Sequence, residues 1–330
     1  QLKNIQKHSP NFTISDEESF NKVALEVFND QAINNAVYQR YLSYLGVQAH
    51  NIQSYLEIPF LPIEFFKTQN ILTSGQHAEI TFTSSGTTGM STSKHHVPDL
   101  SWYEQSFRKA FQLFYGNIEE IAVLALLPSY LEREGSSLIY MVDDLIKSSQ
   151  QEESNYFLYN HEELFQALTV LKNKGKKTIL IGVTYALLDF IASYRVHFPE
   201  LIVMETGGMK GKRKEMVREE LHKALCFGFG VEKIHAEYGM TELLSQGYSA
   251  GGGLFHTPPW MKILIRDTND PLTLIDNTKT GAINVIDLAN YHSCSFIATQ
   301  DLGRFHPNGS FEVLGRFDNA DIRGCNLLVQ

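Results

Sequence analysis

The 330-residue sequence is 43% hydrophobic and 20% charged, which suits a globular protein able to bury a substantial core. Its net charge of −9 argues against nucleic acid or an anionic membrane surface as the main partner. Its three cysteines, Cys226, Cys294 and Cys325, stand at unrelated spacings. They make neither a disulfide framework nor a zinc constellation, and point to a reducing cytoplasm.

Residues 1–14 lack the apolar core of a secretion signal. The most apolar stretch, residues 178–192, is too short to span a bilayer and carries Asp189, so no membrane span is expected. Ser15-Asp-Glu-Glu18 reads as a capping box opening a helix. Phe20, Val23, Ala24, Val27 and Phe28 follow helical spacing, and Gly46 closes a helical N-terminal region over residues 1–50. The apolar run 58–66 is broken by Pro59 and Pro62 and predicts an extended segment.

From residue 80, candidate strands at 80–83, 121–127, 156–159, 178–182, 201–206 and 231–235 alternate with helical patterns at 101–115, 161–174, 184–197 and 212–225. That alternation predicts an α/β nucleotide-binding core over residues 51–253, a mostly parallel sheet flanked by helices. After Gly253 the texture changes to short strands at 261–266, 281–288 and 311–314, the mark of a smaller β-rich lobe over residues 254–330.

Thr83-Ser84-Ser85-Gly86-Thr87-Thr88-Gly89, followed by Lys94, comes directly after a candidate strand. Small residues let the backbone approach a ligand, and hydroxyls with backbone N–H groups surround phosphate oxygens. A Walker loop is excluded because its Gly-Lys-Ser/Thr ending is missing; a Ser/Thr/Gly-rich surface turn remains the plain alternative. A second element, Glu237-Tyr238-Gly239-Met240-Thr241-Glu242, falls at the end of candidate strand 231–235, where ligands of open α/β sheets gather. Tyr238 can stack on a purine, the Thr241 hydroxyl can reach a phosphate, and Glu242 can hold Mg²⁺. A tight turn with a helix-capping Thr241 is the alternative. The third comprises Thr299-Gln-Asp-Leu-Gly-Arg304 and Gly315-Arg-Phe-Asp318. Asp301 can accept from a ribose diol and Arg316 can reach ribose or phosphate, or they are a hairpin-turn residue and a surface arginine.

In this order the motifs resemble those of the adenylate-forming superfamily of acyl-CoA synthetases, luciferases and adenylation domains. The superfamily's Thr-Ser-Gly-Thr-Thr-Gly loop matches Ser84 to Gly89. Its Tyr-Gly-x-Thr-Glu matches Tyr238 to Glu242, its Thr-Gly-Asp matches Thr299 to Asp301, and its Gly-Arg-x-Asp hinge matches Gly315 to Asp318. Gly207-Gly208-Met209 looks like its adenine-contacting turn. Pro59 to Lys67, Leu127 to Arg133 and Arg323-Gly-Cys-Asn326 are similar to the acyl-protein synthetase branch, which includes the fatty-acid-activating component of bacterial bioluminescence, from about residue 51 to the end.

The resemblance implies an AMP-forming acid–thiol ligase using ATP and Mg²⁺. Its implied carboxylic acid substrate is a long-chain fatty acid. Ser85, Thr87, Thr88 and Lys94 would hold phosphates, and Cys325 would carry the acyl group to a reductase or carrier-protein partner. Only twelve residues follow Asp318, so the mobile C-terminal domain of ordinary members, with its lysine, is expected to be absent, and Lys94 or the metal would supply the missing positive charge. The loop between Gly89 and Lys94 also departs from the family's spacing. A CoA ligase, a carrier-loading adenylation subunit and a non-catalytic nucleotide-binding relic are the competing readings. His95 and His96 are adjacent and badly placed to share a metal, which leaves them structural or surface roles. Cys226 and Cys294, in apolar stretches, are expected to be inert.

Overall fold

A computed structural model describes residues 13–84, 92–128, 135–207, 216–276 and 278–316. The chain forms two compact units: one of residues 1–106, 241–245 and 256–330, the other of residues 107–240 and 246–255.

The first unit begins with α1 (Glu17–Asn34) and α2 (Ala36–Tyr44). The capping box lies one residue later than expected. Asp16, not Ser15, is the N-cap, accepting from the Ser19 N–H at 2.8 Å, while the Ser19 hydroxyl accepts from the Asp16 N–H at 3.2 Å. Asn35 caps α2 by accepting from the N–H groups of Val37 and Tyr38. Past Gly46, at φ +70°, the proline-broken run contributes β1 (Leu61–Pro62) but also, contrary to a wholly extended reading, a single helical turn, α3 (Phe65–Thr68). Its residues lie beyond Pro62, so neither proline ring removes a hydrogen bond inside it. A hairpin of β2 (Ile80–Thr83) and β3 (Lys94–Val97) follows, then α4 (Leu100–Tyr115), whose residues from Phe107 on belong to the second unit.

The second unit carries a sheet of β4 (Ala122–Leu126), β5 (Asn155–Phe157), β6 (Thr178–Val183), β7 (Ile202–Thr206), β8 (His235–Tyr238) and β9 (Gly247–Ser249). Its order is β9-β8-β7-β6-β4-β5, parallel except for β9. Every residue of β4 and β6 is buried, as apolar strands covered on both faces should be. The connecting helices are α5 (Ser137–Ser149), α6 (His161–Asn173), α7 (Thr184–Ser193) and α8 (Arg218–Phe229). One strand is displaced from its expected position, and the displacement matters for the site. Helix α8 continues to Phe229 and Gly230 ends it at φ +67°, so β8 starts at His235 rather than Val231. Glu237 and Tyr238 are therefore inside the strand, not beyond it.

After β10 (Phe255–His256) the chain builds an antiparallel meander in the first unit. Its strands are β11 (Met261–Arg266), β12 (Gly281–Asp287), β13 (Phe296–Phe305) and β14 (Phe311–Arg316), with β1 lying parallel on β13. Strand β12 is buried throughout, and Phe28, Tyr38 and Phe60 all pack on Phe296 at the start of β13. The sequence pattern missed β13. Asp301 and Arg316, read as turn and surface residues in their plain alternative, are strand residues facing each other across β13 and β14. No helix among the described residues is long and apolar enough to cross a membrane.

Candidate functional site

In the first unit, the Ser/Thr/Gly loop is the connection of the β2–β3 hairpin. Ser85, Gly86, Thr87, Thr88 and Gly89 lie outside the described residues, but the neck is well defined. Ser84 N–H donates to the Ser93 carbonyl at 3.1 Å, and Ser93 N–H donates to the Ser84 hydroxyl oxygen at 2.9 Å. Lys94 begins β3 opposite Thr83 and is exposed. The antiparallel pairing thus brings Lys94 back to the loop's entry despite the departure from the family's spacing.

Ser93 also reaches the second motif. Glu242 is buried, 5% exposed, and accepts a hydrogen bond from the Ser93 side chain. Burial raises the Glu242 carboxyl above its ordinary value. The Ser93 bond, its own backbone N–H and the positive charges of Arg316 and Lys67 oppose that rise without cancelling it. Arg316 belongs to the third motif, and its Nε pairs with Asp301 Oδ1 at 3.2 Å. Asp301 is 6% exposed, while the Arg316 side chain is largely in solvent. Asp301 is in turn fixed by its own N–H, which donates to the Thr299 hydroxyl oxygen at 3.1 Å. Thr299 is held from both ends, its hydroxyl donating to the Ile283 carbonyl and its carbonyl accepting from Arg266 Nη2 at 2.7 Å. Sequence reasoning missed Ser93, Lys67 and Arg266. The one available signal was alternation, since Ser93 and His95 occupy the same buried face leading into β3.

Among the described residues, no three His, Cys, Asp or Glu side chains gather into a metal cage. A single carboxylate suits a magnesium ion completed by phosphate oxygens and water, and does not suit a metal held by protein alone.

In the second unit, Gly207 ends β7 at φ +70° and its carbonyl accepts from the Thr184 hydroxyl at 2.6 Å. Gly208 and Met209 lie outside the described residues. Tyr238 is buried and meets Phe255 edge to face at 6.0 Å. A Cβ at Gly239 would meet the Glu237 carboxyl, which would have to shift away from it. The Thr206 hydroxyl donates to Glu237 Oε2 at 2.8 Å. Burial pushes Glu237 up to about 7; the Thr206 bond opposes this and nearby Glu205 adds to it.

Cys325 lies outside the described residues. Burial pushes the Cys294 thiol up to about 12 and raises the Cys226 thiol, as expected of unreactive cysteines.

The sequence matches no family model and no curated protein. Solved structures do resemble it. 2-Hydroxyisobutyryl-CoA ligase in its postadenylation state with 2-HIB-AMP aligns over 92% of this chain and 68% of its own, at TM-score 0.67 and 9% identity. ATP-bound MatB from Rhodopseudomonas palustris aligns over 72% of this chain at TM-score 0.54 and 16% identity, and this chain spans 47% of it, about half its length. A luciferase-like enzyme from the nonluminescent mealworm Zophobas morio aligns over 75% of this chain and 59% of its own, at TM-score 0.51 and 14% identity. At such low identities these likenesses establish the fold, the mixed α/β fold of adenylate-forming enzymes.

Proposed function

We propose that this chain activates a carboxylic acid with ATP. A carboxylate oxygen of the acid bonds to the α-phosphorus, the bond from that phosphorus to the bridging oxygen of pyrophosphate breaks, and acyl-adenylate forms. The observation that carries this reading is the position of Glu242. One buried carboxylate belongs to the Tyr-Gly-x-Thr-Glu motif, accepts from Ser93 at the neck of the hydroxyl-rich loop, and feels the charge of Arg316, the partner of Asp301. Ser84, Glu242, Asp301 and Arg316, drawn from three motifs far apart in the sequence, thus belong to one unit.

The roles follow from chemistry. Ser84, Ser85, Thr87 and Thr88, with the backbone of Gly86 and Gly89, offer hydroxyls and N–H groups to phosphate oxygens, and Lys94 adds a cation. Thr241 presents a hydroxyl to the α-phosphate. Glu242 would hold Mg²⁺, which supplies charge neutralisation on the phosphates. Asp301 accepts from the ribose diol, with Arg316 orienting it. Tyr238, Gly239 and the Gly207-Gly208-Met209 turn are assigned to adenine. Lys67 is a further cation whose charge reaches Glu242.

In the finer reading the acid is a long-chain fatty acid and Cys325 is the first acyl acceptor. Its thiolate sulfur bonds to the acyl carbon, the acyl–phosphate bond breaks, AMP leaves, and the thiol proton goes to solvent. The acyl group then passes to a reductase or carrier-protein partner. A second reading, transfer to CoA, is supported by the overall likeness to a ligase solved with an acyl-adenylate and CoA.

Carboxylate-dependent ATP–pyrophosphate exchange over a panel of medium- and long-chain acids tests the first step, and silence across the panel rejects it. Radiolabelled fatty acid with ATP tests the second. The expected result is one hydroxylamine-labile label per chain that is lost in Cys325→Ala, whose exchange activity persists. Undiminished labelling of Cys325→Ala rejects that cysteine, and acyl-CoA formation without label selects the CoA ligase.

A further inference from the structure

The segment Thr241–Ser245 carries the two side chains assigned to the α-phosphate and the metal, yet it belongs to no helix or strand. Such a segment must find partners for its backbone groups elsewhere. It finds them in three polar side chains, all buried and all in the first unit. His95 Nδ1 lies 2.8 Å from the Thr241 carbonyl oxygen. Asn290 Nδ2 donates to the Glu242 carbonyl at 2.8 Å. Asp287 Oδ2 accepts from the N–H groups of Leu244 at 2.7 Å and Ser245 at 3.0 Å, and Oδ1 accepts from the Ser245 hydroxyl at 2.6 Å.

The three are also tied to each other. Asn290 Oδ1 faces His95 Nε2 at 2.9 Å, and its Nδ2 makes a second bond, to the Cys294 carbonyl at 3.0 Å. Both partners of Nδ2 are carbonyls, which fixes the orientation of the amide. Asp287 accepts from the Ala289 N–H at 3.1 Å, closing the turn that leads to Asn290. Both ring nitrogens of His95 thus face oxygens that only accept, and a neutral ring carries a single proton, so it donates to the Thr241 carbonyl or to Asn290 Oδ1, one at a time. Burial keeps the ring neutral by pushing it down to about 4, against the pull of the two oxygens it faces. Phe66 packs edge-on against the ring at 5.7 Å and holds its plane.

We propose that His95, Asn290 and Asp287 form a clamp on the backbone of Thr241–Ser245, and that they are positioning residues for the Thr241 hydroxyl and the Glu242 carboxylate. The catalytic part of this inference rests on the adenylation reading; the grip itself does not. The clamp reads backbone atoms, so it fixes where the two side chains start while leaving their functional groups free for a ligand. Displacement of a reacting group by about 1 Å costs on the order of 100-fold in rate, which sets the scale of its contribution.

The test compares the full-length chain with His95→Leu, His95→Asn, His95→Gln and Asp287→Asn by amide hydrogen exchange and by steady-state pyrophosphate exchange. Asparagine can place an N–H where Nδ1 stands, whereas glutamine places one toward Asn290. The clamp predicts amides of Leu244 and Ser245 exchanging about tenfold faster in His95→Leu and Asp287→Asn. It also predicts kcat falling about 10–100-fold with the acid's KM held within twofold, and His95→Asn recovering most of the loss. Unchanged amide protection in the folded variants overturns the clamp. Faster amide exchange with unchanged kcat overturns its role in positioning. Should His95→Leu fail to fold, equal losses in His95→Asn and His95→Gln overturn it instead. A parent chain with no pyrophosphate exchange refutes the adenylation reading, and the amide measurement still decides the grip.

Discussion

Replacing Glu237 by glutamine isolates the cost of a desolvated carboxyl at the start of the Tyr-Gly-x-Thr-Glu segment. The folded protein holds this group at about 7 against an ordinary value of 4.5, chiefly through burial. Below pH 4.5 the carboxyl is protonated in both folded and unfolded chains and burdens neither. As pH rises from 4.5 to 7, the unfolded chain releases the proton while the folded chain retains it. Folding therefore loses stability across that window, and the full penalty is present above it. At 1.36 kcal/mol per pKa unit the penalty has an upper limit of about 3 kcal/mol. Glu237 is partly exposed, and solvent screening brings this down to about 1–2 kcal/mol. Glutamine keeps the shape and an oxygen for the Thr206 hydroxyl, so Glu237→Gln should be about as stable as the parent at pH 4.5. At pH 8 it should be more stable, by about 1–3 °C in melting temperature. Thermal melts of both proteins at the two pH values measure the difference directly, and groups common to both cancel. A variant no more stabilised at pH 8 than at pH 4.5 would refute the reasoning.

Ser93→Ala removes a hydrogen bond that favours ionised Glu242 while burial remains, so the Glu242 carboxyl should climb further. If the ionised form serves the reaction, the acid limb of pyrophosphate exchange should move to higher pH, and superimposed profiles would contradict that role. Asp301→Ala should raise the KM for ATP about 10–100-fold, the worth of hydrogen bonds to a charged acceptor. The parent should use 2′-deoxy-ATP poorly, and equal use of both nucleotides would make Asp301 a partner for Arg316 alone.

Much of the fold was written in local pattern. Strands β4 and β6 are apolar runs bounded by turn residues, and α4 and α6 follow helical spacing to within a residue or two of their ends. Strand β13 was not legible because Thr299, Gln300 and Asp301 interrupt its apolar character with a turn-like composition. Their polar groups are satisfied by Arg266, Glu64 and Arg316, which lie elsewhere in the sequence. The start of β8 was misplaced because Val231 and Ile234 look like strand residues but follow the glycine that ends α8. At the site, hydroxyls and carboxylates in short motifs announced themselves by type. Ser93 and His95 did not, since their partners lie about 150 residues further along the chain. A buried histidine that reads one carbonyl has no sequence signature distinct from a core histidine.

The N-terminal helices show how far such support extends. They contain none of the motifs, yet the buried side chain of Gln31 donates to the carbonyls of Tyr291 at 2.8 Å and Asn290 at 3.1 Å and accepts from the Ser295 N–H at 3.0 Å. Asn35, also buried, donates to the Ser293 carbonyl at 2.8 Å while capping α2. These two amides immobilise the turn that carries Asn290, and Asn290 in turn holds the backbone of Glu242. Burying an amide is tolerable only when its groups are paired, because each unpaired group costs on the order of 1–3 kcal/mol. Gln31 and Asn35 are therefore committed to this one arrangement of residues 290–295. Any change that undocks α1 or α2 leaves the amides unpaired and releases the turn together, so the helices and Glu242 are coupled through two consecutive hydrogen bonds, Gln31 to the Asn290 carbonyl and the Asn290 amide to the Glu242 carbonyl. A helical region that looks like packing in the sequence thus belongs, through its two amides, to the machinery that places Glu242.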